Sequence, residues 1–192
     1  MNRIFICLRV ALLAFAVTGI ARAQVAAPTP TPDPLVYTDP AMTFKAPDGS
    51  VSLGRNPIDV DKLSDDLQTI AAWVYRPGHD DAREIQLQME SFEGPTDQWE
   101  GAFESQMHSG EGEGVLIRGK TPMTLLNGMP AYFVEITSGE GFSSQKEYAI
   151  VWVDGQRGIV LSVTARVGDI GEDEAKSELH DVTAVRYPTD QP

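Results

Sequence analysis

The chain has 192 residues, with 28 acidic side chains against 15 basic ones and a formal charge of −13 at neutral pH. That balance argues against nucleic acid or anionic lipid as a partner, because both would be repelled. A single cysteine excludes a disulfide framework, so an ordinary apolar core must hold the fold, and the length suits one domain.

The first segment, MNRIFICLRVALLAFAVTGIARAQ, carries positive charge at Arg3 and Arg9 and then an uncharged apolar run from Val10 to Ile20. Ala21 and Ala23 place small residues three and one positions before a cut ahead of Gln24. This order predicts a secretory signal peptide over residues 1–23, cleaved after Ala23. The apolar run is shorter than the ~20 residues a membrane-spanning helix needs. Cys7 lies inside the signal, so it is no lipoprotein cysteine and the mature chain has none. Loss of Arg3, Arg9 and Arg22 from the 15 basic residues takes the formal charge from −13 to −16. The scattered charges read as a hydrated surface, with an acidic face for a basic partner or cation as the sharper alternative. The expected address is periplasmic or secreted, with no transmembrane segment after signal removal.

Residues 24–35 carry Pro28, Pro30, Pro32 and Pro34 at every second position, which precludes a helix and predicts an extended spacer. One domain is expected over residues 36–187, followed by a short disordered tail at 188–192. Within the domain, DVDKLSDDLQ predicts a short helix ending near Gln68, where β-branched and aromatic residues begin to crowd the chain. TIAAWVYRPGHDDAREIQLQ predicts a hairpin turning at Pro77-Gly78. In REIQLQMESF, Ile85, Leu87 and Met89 alternate with Gln86, Gln88 and Glu90, the period of a strand. PTDQWEGAFESQMHS starts at Pro95 and sets Trp99, Phe103 and Met107 on one helical stripe.

AYFVEITS, KEYAIVWV and RGIVLSVTARV are three successive strands, the last two joined at Asp154-Gly155. YAIVWV, GIVLSV and IAAWVY are apolar on both faces, which predicts a sheet covered on both sides. Hairpin connections make most of its pairing antiparallel. GEDEAKSELHDVTAVRY closes the domain as a helix, with Ala175, Leu179, Val182 and Val185 on one stripe and Glu172, Asp173 and Glu174 at its positive end. The fold class is therefore α+β, a mainly antiparallel sheet flanked by helices on its faces.

Gly114 to Thr121, in GVLIRGKTP, matches G-x-x-x-x-G-K-[ST], the phosphate loop of nucleotide hydrolases. That loop works only between a strand and a helix, with backbone N–H groups around the phosphates. Here Val115, Leu116, Ile117 and Arg118 have strand character, and Asn127, Gly128 and Pro130 end any following helix within two turns. Val115 to Lys120 is expected to be a sheet strand, with Thr121-Pro122 its exit.

His79, His108 and His180 lack a zinc-ligand spacing. DVDKLSDD resembles a calcium loop through Asp59, Asp61, Asp65 and Asp66, but Leu63 and Ser64 stand where an oxygen ligand and a glycine are needed. There is no G-x-S-x-G, although a triad can assemble from distant residues. No catalytic residue, cofactor or metal is predicted. Trp73, Tyr75, Tyr148 and Trp152 can line a ligand cleft or partner surface, or fill the core on either side of the sheet.

TDPAMTFKAPDG, LLNGMPAYFVEI and the late hairpin KEYAIVWVDGQRGIVLSVTARV leading into the last helix resemble the PsbP/DcrB-like superfamily across nearly all of Tyr37 to Tyr187. The resemblance implies an α/β/α sandwich around an antiparallel sheet. Its members include extrinsic photosystem subunits, a Ran-binding nuclear factor, bacterial envelope lipoproteins and secretion-effector chaperones, mostly binding and assembly proteins. The function expected from signal, spacer, missing catalytic motifs and resemblance is a non-enzymatic binding or assembly module with an envelope protein partner. A carrier of a small ligand in a sheet–helix cleft is the alternative, and an envelope hydrolase with a dispersed site the lesser one.

Overall fold

The computed structural model describes residues 32–38, 43–56, 59, 62–110, 115–125, 128–139 and 144–182. The signal segment, most of the spacer and the C-terminal tail lie outside the described residues. The described residues fall in one compact unit, Pro32 to Pro192.

A short ribbon comes first, β1 (Val36–Thr38) paired antiparallel with β2 (Thr43–Lys45). Seven strands follow as one sheet: β3 (Val51–Arg55), β4 (Gln68–Tyr75), β5 (Arg83–Ser91), β6 (Leu116–Thr124), β7 (Pro130–Ser138), β8 (Gln145–Asp154) and β9 (Arg157–Arg166). Their order is β3-β4-β5-β9-β8-β7-β6, and every neighbouring pair is antiparallel. Helix α1 (Thr96–Gly110) connects β5 to β6, and α2 (Glu172–Val182) follows β9.

Turn chemistry sets the hairpins. Gly155 takes a φ of 63° in the two-residue turn between Asp154 and Arg157, a conformation that glycine adopts without Cβ strain. The β4–β5 hairpin turns through Pro77 and Gly78, as its sequence predicts.

Alternation then builds two cores. Ile85, Leu87, Met89, Tyr148, Ile150, Trp152, Ile159, Leu161 and Val163 face one way and are buried under α2, through Ala175 and Leu179, and under the ribbon, through Tyr37 and Phe44. Val134, Ile136, Ala149, Val151, Val153 and Val160 face the other way beneath Trp99 and Phe103 of α1. Strands apolar on both faces thus lie between two covers, as their composition requires.

Two expectations need correction. Residues 62–67 form no α-helix: Lys62 N–H bonds the Asp59 carbonyl in a tight turn, and Ser64 Oγ bonds the Asp66 carbonyl. Short polar side chains here satisfy the backbone locally, and Ser91 N–H takes the Ser64 carbonyl that a helix would use. Second, Thr121 and Pro122 do not end their strand. They pair with Phe133 and Tyr132 inside β6. As an edge strand, β6 tolerates a proline, because among the described residues one side of its backbone has no strand to bond.

Candidate functional site

The aromatic residues singled out by sequence lie on the α2 side of the sheet. Trp73 is fully buried, donates its Nε1–H to the Pro34 carbonyl at 3.0 Å and meets Phe44 edge-on at 5.1 Å. Tyr148 stacks on Phe133 at 5.5 Å, and Lys146 Nζ donates to its hydroxyl at 3.0 Å. Trp152 is fully buried, and its Nε1–H has no partner among the described residues. Tyr75 is half-buried at the margin of the same core. Trp73 and Tyr75 on β4 are separated from Tyr148 and Trp152 on β8 by two whole strands, so no single cleft gathers all four. A ligand reaches Trp73, Tyr148 or Trp152 only if a cover is displaced.

The opposite face carries a hollow. Register places Val51, Val74, Glu84, Thr164, Glu147, Ile136 and Ile117 in one row across all seven strands. The next row runs Gly54, Ala72, Gln86, Ser162, Ala149, Val134 and Lys120. Both rows are polar at β5 and β9, and the β8–β7 part of each turns apolar by Ile136 and Ala149. Helix α1 packs mainly on that apolar part, over β7 and β8. Beside it opens a groove of about 440 Å³, floored by Glu84, Gln86, Gln88, Ser162, Thr164 and Glu147 and rimmed by Leu67 and Met107. Gln145, Ser138 and Arg166 close its upper end.

Glycine decides where the helix stops covering the sheet. A Cβ on Gly158 would lie 2.7 Å from the Trp99 ring, so its absence lets the indole rest on β9 and donate to the Ile159 carbonyl at 3.3 Å. Three polar contacts then fix the helix. Gln106 Nε2 donates to Glu90 Oε2 at 2.8 Å, and Lys120 Nζ donates to Glu100 Oε2 at 2.6 Å while standing 3.7 Å from Glu104. Burial raises the Glu90 pKa above 4.5; the Gln106 bond opposes this, and Asp65 and Asp66 add to it. Burial also raises that of Glu100, with Glu104 adding and Lys120 opposing. The bond to Glu100 raises that of Lys120 in turn.

Lys120, the lysine of the phosphate-loop pattern, is therefore an exposed edge-strand residue tied to a helix glutamate. Around it the order is strand followed by strand, as its neighbours predict.

Chemically, the groove offers carboxylates, side-chain amides and hydroxyls, with one guanidinium at its end. In the floor, Gln86 Nε2 donates to Glu84 Oε1 at 2.8 Å. Such a lining recognises a polar surface by hydrogen bonds. Among the described residues no three His, Cys, Asp or Glu side chains gather to hold a metal ion. His79 and His108 are exposed, in a turn and on α1. Among the described residues no helix is long and apolar enough to cross a membrane.

Sequence reading missed this groove. Its signal was present as the polar half of the β5 alternation and as Ser162 and Thr164 interrupting an apolar run. Only strand register brings those positions together.

No protein-family model matches the chain, and no curated protein sequence does either. Solved structures do match. The solution structure of PsbP (CyanoP) from Synechocystis sp. PCC 6803 aligns with a TM-score of 0.52 at 12% identity, over 79% of this chain and 91% of that one. PA94 from Pseudomonas aeruginosa, of unknown function, gives a TM-score of 0.48 at 12% identity, over 80% and 97%. LpqN, involved in cell envelope biogenesis of Mycobacterium tuberculosis, gives 0.42 at 14%, over 79% and 87%. Identities this low speak for fold alone. At that level the resemblance carried by the lead-in, the central strand and the late hairpin holds: this chain has the α+β PsbP-like fold.

Proposed function

We propose that the chain is an exported binding or assembly module that works through contacts with an envelope protein and not through catalysis, with the polar groove beside α1 as its recognition surface. The groove carries this reading, because in-register side chains present hydrogen-bonding groups on strands that α1 leaves uncovered. The signal-like first segment and the proline-rich spacer support export and a domain held away from its anchor or neighbour. Trp73, Tyr75, Tyr148 and Trp152 serve in this scheme as the rigid support behind the sheet.

A photo-crosslinking amino acid at Gln86, expressed in the source cells, is expected to trap one reproducible protein. The same group at Arg118, on the far edge strand, is expected to trap none. Failure to obtain an adduct specific to Gln86 would sink the proposal.

The volume of the groove, about 440 Å³, also favours a second reading, a carrier of a small polar ligand. Native mass spectrometry of freshly purified protein separates the two, since a carrier retains an added mass that Thr164→Trp removes.

A further inference from the structure

The same face has a second half with different chemistry. On β3 and β4, Val51, Leu53, Ala72 and Val74 replace the polar residues of β5 and β9. Val51 is 52% exposed and Leu53 58%. Val51 pairs with Val74 and Val74 with Glu84, so an apolar strip lies directly beside the polar floor. Strand β4 is apolar on both faces; its α2-side face is buried, with Trp73 under the ribbon, while Ala72 and Val74 on the other face are only half-buried. A strand of that composition belongs under two covers.

We infer that the missing cover is a basic amphipathic helix of a partner protein, docked alongside α1 across β3, β4 and β5; this rests on the reading above that the face binds protein.

Geometry and charge select that occupant. Strands are spaced ~4.8 Å apart and neighbouring helices ~10 Å, so the three strands beside α1's footprint give room for one further helix. Its apolar stripe meets Val51, Leu53 and Val74, and its flanking cations meet carboxylates. Glu84 and Glu147 stand farther along the row of Val51 and Val74, and Asp65 and Asp66 lie close enough to Glu90 to act on its charge, against Arg166 as the one cation lining the groove among the described residues. A second copy of the chain brings a charge of −13 to this face and is repelled. Pro34 and Leu179, near the two limits of the described residues, both lie against the opposite face.

The test uses the exported chain, ¹⁵N-labelled, and three synthetic 18-residue peptides: a Leu/Lys amphipathic helix, its Leu/Glu counterpart, and an alternating Val/Lys strand former. The Leu/Lys helix is expected to shift the amides of Val51, Leu53, Val74 and Gln86 saturably. Leu53→Glu, at an exposed position that leaves folding intact, is expected to weaken it at least tenfold, and Glu84→Gln several-fold with a shallower salt dependence. Equal binding of the Leu/Glu peptide, shifts confined to the acidic first turn of α2, or no effect of Leu53→Glu would overturn the inference. So would preference for the strand former, which indicates strand addition at β3, or concentration-dependent shifts without peptide, which indicate self-association. A Gln86 crosslink to protein without Leu/Lys binding removes this inference alone. Loss of both removes the broader proposal as well.

Discussion

Lys120 and Glu100 show how much a residue's meaning depends on its neighbours. Glu100 is almost wholly buried, and one of its oxygens, Oε1, has no partner among the described residues, so Lys120 provides its main compensation. Lys120→Ala is expected to lower stability at pH 7 by about 1–3 kcal/mol, the cost of a buried charged group left unpaired. Because burial raises the Glu100 pKa in the folded state, the ionised group costs more as pH rises, and the gap between variant and parent closes as pH falls toward 4.5. Urea titrations across pH read this directly, and an unchanged gap at acid pH would contradict it. Nucleotide binding is expected from neither protein.

Glu90 tests the same physics without an ion pair. Between its ordinary value of 4.5 and its raised one, the folded chain holds more protons than the unfolded chain, so stability falls as pH rises through that window. Glu90→Gln keeps an acceptor for Gln106 and removes the charge. Thermal melts are expected to show a higher Tm at pH 7, by about 1 kcal/mol equivalent, and no gain at pH 4.

At the scale of elements, α1 is positioned by one indole on one glycine. Trp99 is fully buried against Gly158, and the helix stripe predicted from Trp99, Phe103 and Met107 is the one that packs. Gly158→Ala pushes a methyl into that ring. The expected loss is about 1–3 kcal/mol, with tryptophan emission moving to longer wavelength as α1 lifts. Unchanged emission and stability would mean that the helix is held by its polar contacts alone. Helix α2 is fastened differently, through buried Arg83. Its guanidinium reaches Glu178, Glu174 at 2.7 Å and the Asp169 carbonyl at 3.0 Å. The stripe residues Ala175 and Leu179 pack as their spacing predicts, but no sequence pattern marked Arg83, which sits where β5 alternation expects an apolar side chain.

For the whole molecule, the two faces divide the work. The α2 side is sealed by a helix and a ribbon, and Arg55 fastens the ribbon by donating to the carbonyls of Asp33 and Val36. The α1 side is sealed over part of its width and open over the rest. A seven-stranded sheet is wider than one helix can cover, which is why a groove and an apolar strip are left beside α1.

Local chemistry was enough to determine most elements, because alternation, helical stripes and glycine turns act within a few residues. It predicted the β4–β5 and β8–β9 hairpins, both helices and a sheet covered on two sides. It failed at residues 62–67, where acidic residues and leucines permit a helix but side-chain bonds from Ser64 and the distant Ser91 N–H claim the backbone. It could not locate the groove, since Glu84, Ser162 and Glu147 share a surface only through the pairing of β5, β9 and β8. Strand order and register are long-range properties, and with them tertiary structure alone decided which polar residues face a helix and which face an open surface.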